Sequence, residues 1–471
     1  MSKYTSLIKN AMIFGLGNFV TKLIYFFLMP IYTVALRPSD FGIADLLNNS
    51  LQLIVPILTI SISDAVFRFS LDKNVSHQEL LANGLKVLSL SYLLVCAYWG
   101  FSYLFNFDFY WYLFGLLYLT ESLKTLFAQF TRGLGKVKEY AVNGIISAVF
   151  LLASSYVFLK IYNLGVDGYL LAFIVANLAS LLYLLLVCRI GWFISFKSSN
   201  KLLLRGMIAF SLPLTPNMLS WWITNISSRY IIALFSGLSL SGIFAAASKI
   251  PALINVVSSI FQLSWQFASI KEYQTGKQSE FYTTVLHFYT ISIILIGAII
   301  IAIIPYISLF ILKGEFFEAW KLTPLLLYSS ILGCLSIFFG TFYAVVKENK
   351  KALITTFVGA MANLAICFAS IPFIGVAGAL IANVVSYMIV VYMRYKDAKS
   401  YFEFQWDLRK TIISFVLLFC ESVLMMLDTP SARGLSYVIV LALVLLYLKD
   451  IMLLINKTKS FMQKKLFTHN G

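Results

Sequence analysis

Three basic side chains stand deep inside apolar runs of this sequence: Lys22, Arg229 and Lys249. An ionised group at the centre of a membrane costs at least about 2.5–3.5 kcal/mol, so such residues are retained for a task. Each lies on or beside a row of amides and hydroxyls. Asn18 and Lys22 are one helical turn apart, and Asn217, Trp221, Asn225 and Arg229 follow at steps of four. Lys249 flanks a row formed by Ser248, Asn255, Ser259, Gln262 and Gln266. A further row, Asp45, Asn48, Asn49, Gln52, Pro56, Thr59 and Ser63, advances in threes and fours, which places it on one helical face. The chemistry these types support is recognition of an anion. Arginine grips phosphate through two parallel hydrogen bonds and lysine offers a mobile point charge. Pyrophosphate is therefore a natural ligand. Bond-making chemistry finds no support: there are no paired carboxylates, no nucleophile with a base and no glycine-rich phosphate loop. Cys96, Cys188, Cys334, Cys367 and Cys420 are isolated, and His77, His287 and His469 form no motif, so neither a metal site nor a disulfide framework is expected.

Two blander readings stand beside this one. Amide and hydroxyl rows can simply bind helices together, at roughly 0.6 kcal/mol per hydrogen bond. Arg229 and Lys249 can snorkel to an interface. Rows that recur on paired helices favour a shared water-filled cavity, since a polar stripe cannot face lipid cheaply. Acids are few in these helices: Asp45 and Asp64 fall near the two ends of their span. Asp64 and Arg68, four apart, are expected to pair, as a structural link or a gate. Glu121 and Lys124, three apart, are expected to satisfy each other.

The elements that must position these residues are membrane helices. Of 471 residues, 60% are hydrophobic and 12% charged; soluble proteins carry about 25% charged residues. Runs of roughly 20 apolar residues recur throughout. They predict an all-α polytopic membrane protein with about fourteen spans, at 10–33, 45–66, 82–105, 109–130, 141–161, 168–188, 207–235, 243–268, 282–309, 322–345, 352–371, 376–395, 411–427 and 435–455. The first run lacks a small-residue cleavage site and reads as a span. Alternate loops hold 25 of the Lys and Arg residues, from Lys3 and Lys9 through Arg394 to Lys465, against 5 in the opposite set: Arg37, Lys160, Lys313, Lys321 and Arg433. The positive-inside rule then places both termini in the cytoplasm. It also assigns the net charge of +16 to membrane topology, with no nucleic-acid partner. The loops are short and leave no room for a soluble domain.

An internal repeat organises the spans. Ser39, Gly42 and Ile43 match Ser239, Gly242 and Ile243, and Gly165-Val166-Asp167-Gly168 matches Gly375-Val376-Ala377-Gly378. Spans 1–6 and 7–12 thus read as two pseudo-symmetric six-helix lobes, residues 1–200 and 201–396, around a central cavity. Residues 397–471 add two helices and a tail. The polar spans 1, 2, 7 and 8 fall in symmetric pairs. The candidate binding residues are Lys22, Arg229, Lys249, Asn18, Asn225, Asn48, Gln52, Asn255 and Gln262.

Lys22 through "FFLMPIYTVALRPSDFGIADLL" (26–47), "SISDAVFRF" (61–69), "SSRYIIALFSG" (227–237), "GIFAAASKIPALI" (242–254) and "GVAGALIAN" (375–383) carry a resemblance. In order and spacing, over essentially the whole chain, they resemble the polysaccharide-transporter branch of the multidrug/oligosaccharidyl-lipid/polysaccharide exporter superfamily, the Wzx-type O-antigen and capsule flippases. The family's span 7 arginine often follows an acidic residue; here Ser228 holds that place. The resemblance implies a transporter in the cell (inner) membrane that moves an undecaprenyl-pyrophosphate-linked oligosaccharide between leaflets by alternating access. Its partners would be that lipid-linked substrate, membrane lipid and, in the pathway, a polysaccharide polymerase and a chain-length regulator. No cofactor is implied; H+ or Na+ would be the candidates for a coupling ion. The alternatives are a multidrug or cation antiporter of the same superfamily, which should carry carboxylates in its cavity, a lipid II flippase, and a membrane polymerase or glycosyltransferase, which should carry a long outer loop.

Overall fold

The computed structural model describes residues 20–72, 74–105, 108–195, 199–275, 278–450 and 452–453. Asn18, the start of span 1 and the tail beyond Leu453 lie outside them. The described chain is helical: α1 (Val20–Ala35), α2 (Pro38–Leu58), α3 (Ile62–Phe69), α4 (His77–Leu104), α5 (Phe109–Gly133), α6 (Val137–Ser155, prolonged by a wider turn over Tyr156–Ile161), α7 (Gly165–Leu186), α8 (Lys201–Ser211) and α9 (Leu214–Ser236). It continues as α10 (Leu238–Ala247), α11 (Ala252–Thr275), α12 (Gln278–Ile311), α13 (Thr323–Val346), α14 (Asn349–Ile374), α15 (Val376–Tyr401), α16 (Leu408–Leu427) and α17 (Pro430–Leu446).

Eleven of the described helical stretches are long and apolar enough to cross a membrane. The helices α1, α5 and α17 stand where spans 1, 4 and 14 are expected. Three spans are broken rather than continuous. Span 2 divides after Leu58, where Ile60 and Ser61 adopt positive φ of 51° and 50° and the Ser61 N–H reaches back to the Pro56 carbonyl at 2.8 Å. Pro56, inside the last turn, has no N–H to give and its ring crowds the preceding turn, which weakens the helix just before the break. Span 7 divides at Leu212–Pro213, and span 8 at the turn 248–251, which ends on Pro251.

In the first half α5 packs on α7, α7 on α6 and α3 on α5; in the second, α9 packs on α14, α14 on α15 and α15 on α13. The last two helices pair with each other and lean on α12, with α16 also against α13. At one end the halves meet through α8 against α3 and α4, and at the other the seam is made by α2 against α9 and α10. There the backbones touch. A Cβ on Gly42 would lie 2.3 Å from the Leu238 carbonyl oxygen, and one on Gly242 would lie 1.9 Å from the Pro38 carbonyl oxygen. Pro38 and Leu238 are separated by the same 200 positions as the two glycines, so the contact is reciprocal, as a two-fold axis through it requires.

The contact sits at the end of the bundle whose loops hold few basic residues. More cross-seam contacts close that end: the Thr33 hydroxyl donates to the Ile311 carbonyl at 3.0 Å, and the rings of Phe41 and Phe316 meet edge to face at 5.7 Å. In the second half, stacked Trp265 and Phe338 (4.4 Å) and Phe261 and Tyr289 (4.3 Å) hold α11 against α13 and α12. That packing leaves Asn255, Ser259 and Gln266 exposed on the rest of α11.

Candidate functional site

Asp45 lies two turns into α2, and its carboxylate is 1% exposed. Pro38 at the first helical position starts the helix with φ already set, and Gly42 lets it press against α10. This brings both carboxylate oxygens to cations of the other half. Arg229 Nη1 of α9 donates to Oδ2 at 2.8 Å, and Lys249 Nζ, from the turn before α11, donates to Oδ1 at 3.0 Å. Asn49 Nδ2 adds a third bond to Oδ2 at 2.7 Å. The register of α9 is fixed by its neighbour Ser228, whose hydroxyl donates to Asn363 Oδ1 at 3.3 Å and to Asn383 Oδ1 at 3.4 Å. One residue on, Arg229 must then face α2. Trp222 Nε1 donating to the Asn49 carbonyl at 2.9 Å and Tyr230 Oη donating to the Leu46 carbonyl at 2.8 Å fasten the same two helices.

Two cations on one acid leave the cluster with one positive charge in excess. The Lys249 side chain is 33% exposed, and the Arg229 Nε–H is buried without a partner. The expected binding residues arrange around this cluster as follows. Gln52 is exposed, and its Nε2 donates to Asn49 Oδ1 at 3.3 Å, so Gln52, Asn49 and Asp45 form a hydrogen-bonded chain along α2. Asn48 is half-buried beside it. On α9, Asn217, Trp221 and Asn225 form an exposed row ending at Arg229, and Asn225 Oδ1 accepts from the Tyr387 hydroxyl at 2.7 Å. Asn255 is exposed and accepts from the Cys334 thiol at 3.7 Å. Gln262 accepts from the Thr341 hydroxyl at 3.3 Å, while its Nε2 is buried and unpartnered. Lys22 is exposed on α1 and makes no ion pair among the described residues. Asn18 lies outside the described residues.

Sequence reasoning and structure differ at three points. Arg229 and Lys249 are not free cations, because Asp45 lies between them rather than at a helix end facing solvent. An acid buried at the depth of two cations in facing helices is the signal that could have found the cluster. The pair expected between Asp64 and Arg68 is not formed: Arg68 Nη1 binds Asp72 at 2.9 Å. The helix α3 ends at Phe69, so Arg68 can follow the chain into the exposed turn, whereas Asp64 faces α5 and the charge of Arg132, whose guanidinium lies 4.3 Å over the Phe67 ring. Arg394, counted with the loop charges although it falls inside the expected span 376–395, is buried in α15. Glu121 and Lys124 do pair, at 2.7 Å, and the same ammonium bonds Asn177 Oδ1 at 2.8 Å.

A model of the family described as polysaccharide biosynthesis protein matches residues 7–266, more than half of the chain. No curated protein matches it. Solved structures do. An inward-facing multidrug resistance MATE family transporter of the MOP superfamily aligns with TM-score 0.62 and 13% identity over 80% of this chain and 95% of that one. An outward-facing one aligns with TM-score 0.57 and 14% identity, covering 83% and 95%. A MOP superfamily transporter from Pyrococcus furiosus, described as having a binding pocket of reverse polarity that suggests a different function, aligns with TM-score 0.58 and 13% identity, covering 83% and 96%. At these identities the likeness is one of fold.

Proposed function

Because the chain belongs to the polysaccharide biosynthesis protein family and has the fold of a membrane exporter, we propose that it carries an undecaprenyl-pyrophosphate-linked oligosaccharide across the cytoplasmic membrane by alternating access. The observation that carries this reading is the placement of Arg229 and Lys249 at the closed end of the seam, above the exposed amide and indole row of α9. Cations suit the pyrophosphate, and amides with an indole suit sugar hydroxyls and sugar faces. The closed end carries the few basic loops and is assigned to the outside. The described state is then closed toward the outside, and alternating access requires a second one open toward the cytoplasm, where the substrate is made. Lys22 and the rows of Asn48 and Gln52, Asn225, and Asn255 and Gln262 are assigned to the cavity wall.

A cation or drug antiporter needs a carboxylate free to take its substrate's charge. The acid of this cluster, Asp45, is already doubly paired, which weighs against that reading. Proteoliposomes test the proposal directly. A fluorescent polyprenyl-pyrophosphate oligosaccharide placed in one leaflet should appear in the other faster than in protein-free vesicles. Equal rates for protein and empty vesicles would remove the flippase reading, and preference for lipid II over a capsule or O-antigen unit would replace the substrate.

A further inference from the structure

We propose that Asp45 is a resident counter-anion, which the anionic group of the substrate replaces on Arg229 and Lys249 when the outer end opens. The inference rests on the flippase reading for the direction of transport, but its core is geometric. The acid belongs to the first half and both cations to the second. Opening that end must draw α2 away from α9 and α10, since Gly42 and Gly242, Trp222 and Asn49, and Tyr230 and Leu46 all join the halves there. Asp45 leaves with α2. Arg229 and Lys249 stay together as two like charges in a poorly solvated place, and removing one partner from a buried pair is strongly unfavourable.

An anion that binds the two cations removes that obstacle, and Asp45 becomes free to be hydrated in the widening cleft. The cluster is built to receive it. One positive charge is already in excess, Lys249 is one-third exposed with donors to spare, and the Arg229 Nε–H has no acceptor. The exposed Gln52 leads to Asp45 through Asn49, so a group arriving from the cytoplasmic side perturbs the carboxylate before displacing it. After release outside, Asp45 returns and closes the seam. An empty carrier therefore prefers to be closed outside, and a loaded one can open. The ligand chemistry is a phosphate or carboxylate oxyanion, supplied by the pyrophosphate linkage or by an acidic sugar.

Double electron–electron resonance across the outer end tests this. Spin labels at Tyr162→Cys and Glu315→Cys, both exposed positions on opposite halves, are introduced into full-length protein whose native cysteines are replaced by serine, in lipid nanodiscs. Without anion, wild-type background should give one short distance. Farnesyl pyrophosphate should raise a longer population several-fold, while farnesol should not. Asp45→Asn should show the longer population without any anion and respond less than twofold to farnesyl pyrophosphate. If Asp45→Asn does not purify, the neutral variant Asp45→Asn/Arg229→Gln/Lys249→Gln should stay closed and ignore anions. Wild-type distances and a wild-type response in Asp45→Asn, or a full response in the neutral variant, would overturn the proposal. So would a wild-type background that no anion opens. Opening by glucuronate but not by farnesyl pyrophosphate keeps the exchange and removes the pyrophosphate headgroup as its trigger. Flipping measured separately in proteoliposomes judges the transport reading by itself.

Discussion

Gly42 and Gly242 lie against each other across the seam, and a Cβ on either would strike a carbonyl of the facing helix, that of Leu238 for Gly42 and that of Pro38 for Gly242, so neither has room for a methyl group. The backbone contact they allow sets the distance between α2 and the α9–α10 pair. One turn below Gly42, Asp45 then reaches Arg229 and Lys249 without strain on long side chains. Substitution at this point should act on conformation before it acts on folding. Gly42→Ala or Gly242→Ala forces the two helices apart, and overpacking of this kind costs about 1–3 kcal/mol. That corresponds to a shift of about 5- to 150-fold toward the state open at this end. The readout is labelling of Asn225→Cys by an impermeant maleimide added outside cells. Labelling should rise in both variants. Gly100→Ala, where an added Cβ meets nothing within 4 Å, should leave it unchanged.

Much of this fold is legible in the sequence because the bilayer dictates it. Runs of about twenty apolar residues read as spans, and helices long and apolar enough to cross a membrane stand at most of them. Burial of a single charge is not dictated in this way: Arg394, near the end of the expected span 376–395 and grouped with the loop charges, is held inside the bundle by partners on α13 and α14. The break after Leu58 had one signal, Pro56, in a row otherwise read as continuous. The Asp45 cluster was the least legible part. A sequence gives depth and charge for each helix, but which faces meet across the seam depends on packing such as that of Ser228 against Asn363.

Arg394 provides a stability test. It is 9% exposed and makes no pair with a carboxylate among the described residues. Its Nη1 donates to the Ser336 carbonyl at 2.7 Å, its Nε to the Thr355 hydroxyl at 3.1 Å and its Nη2 to the Thr356 hydroxyl at 2.8 Å. One planar group thus ties α13, α14 and α15. Lysine cannot reproduce the fork. With hydrogen bonds of charged groups worth about 1.5–3 kcal/mol each, Arg394→Lys should cost about 3 kcal/mol or more. A clear fall in the melting temperature of detergent-solubilised protein should follow. Lys399→Gln, at an exposed position of the same helix, should stay within about 0.5 kcal/mol.

Arg68 and Asp72 form an ion pair in which both side chains are about half exposed, 51% and 45%. Pairs of this kind contribute roughly 0–1 kcal/mol. Arg68→Gln and Asp72→Asn should therefore support transport at near wild-type rates, with unchanged protein levels. A gate at this position would instead show as a strong loss of transport in Arg68→Gln, separable from any loss of protein on immunoblots.

Lys22 tests whether charge alone is enough at the proposed cavity wall. It differs from Arg229 and Lys249 in having no acidic partner among the described residues, so its charge is not offset by a resident anion. A lysine kept in that condition within a membrane helix is costly, and the cost is recovered only if an anion visits it. Arginine keeps the charge at a similar reach, whereas alanine and glutamine remove it. Lys22→Arg should therefore retain most activity, and Lys22→Ala and Lys22→Gln should both lose it by tenfold or more while inserting normally. The measurement is surface polysaccharide in a flippase-deficient strain, with protein checked by immunoblot. Glutamine separates the two roles the side chain could play: it keeps hydrogen bonding and most of the length but not the charge. Full activity in Lys22→Gln would make Lys22 a hydrogen-bonding residue of the wall, and full activity in Lys22→Ala would make it an interfacial anchor outside the substrate's path.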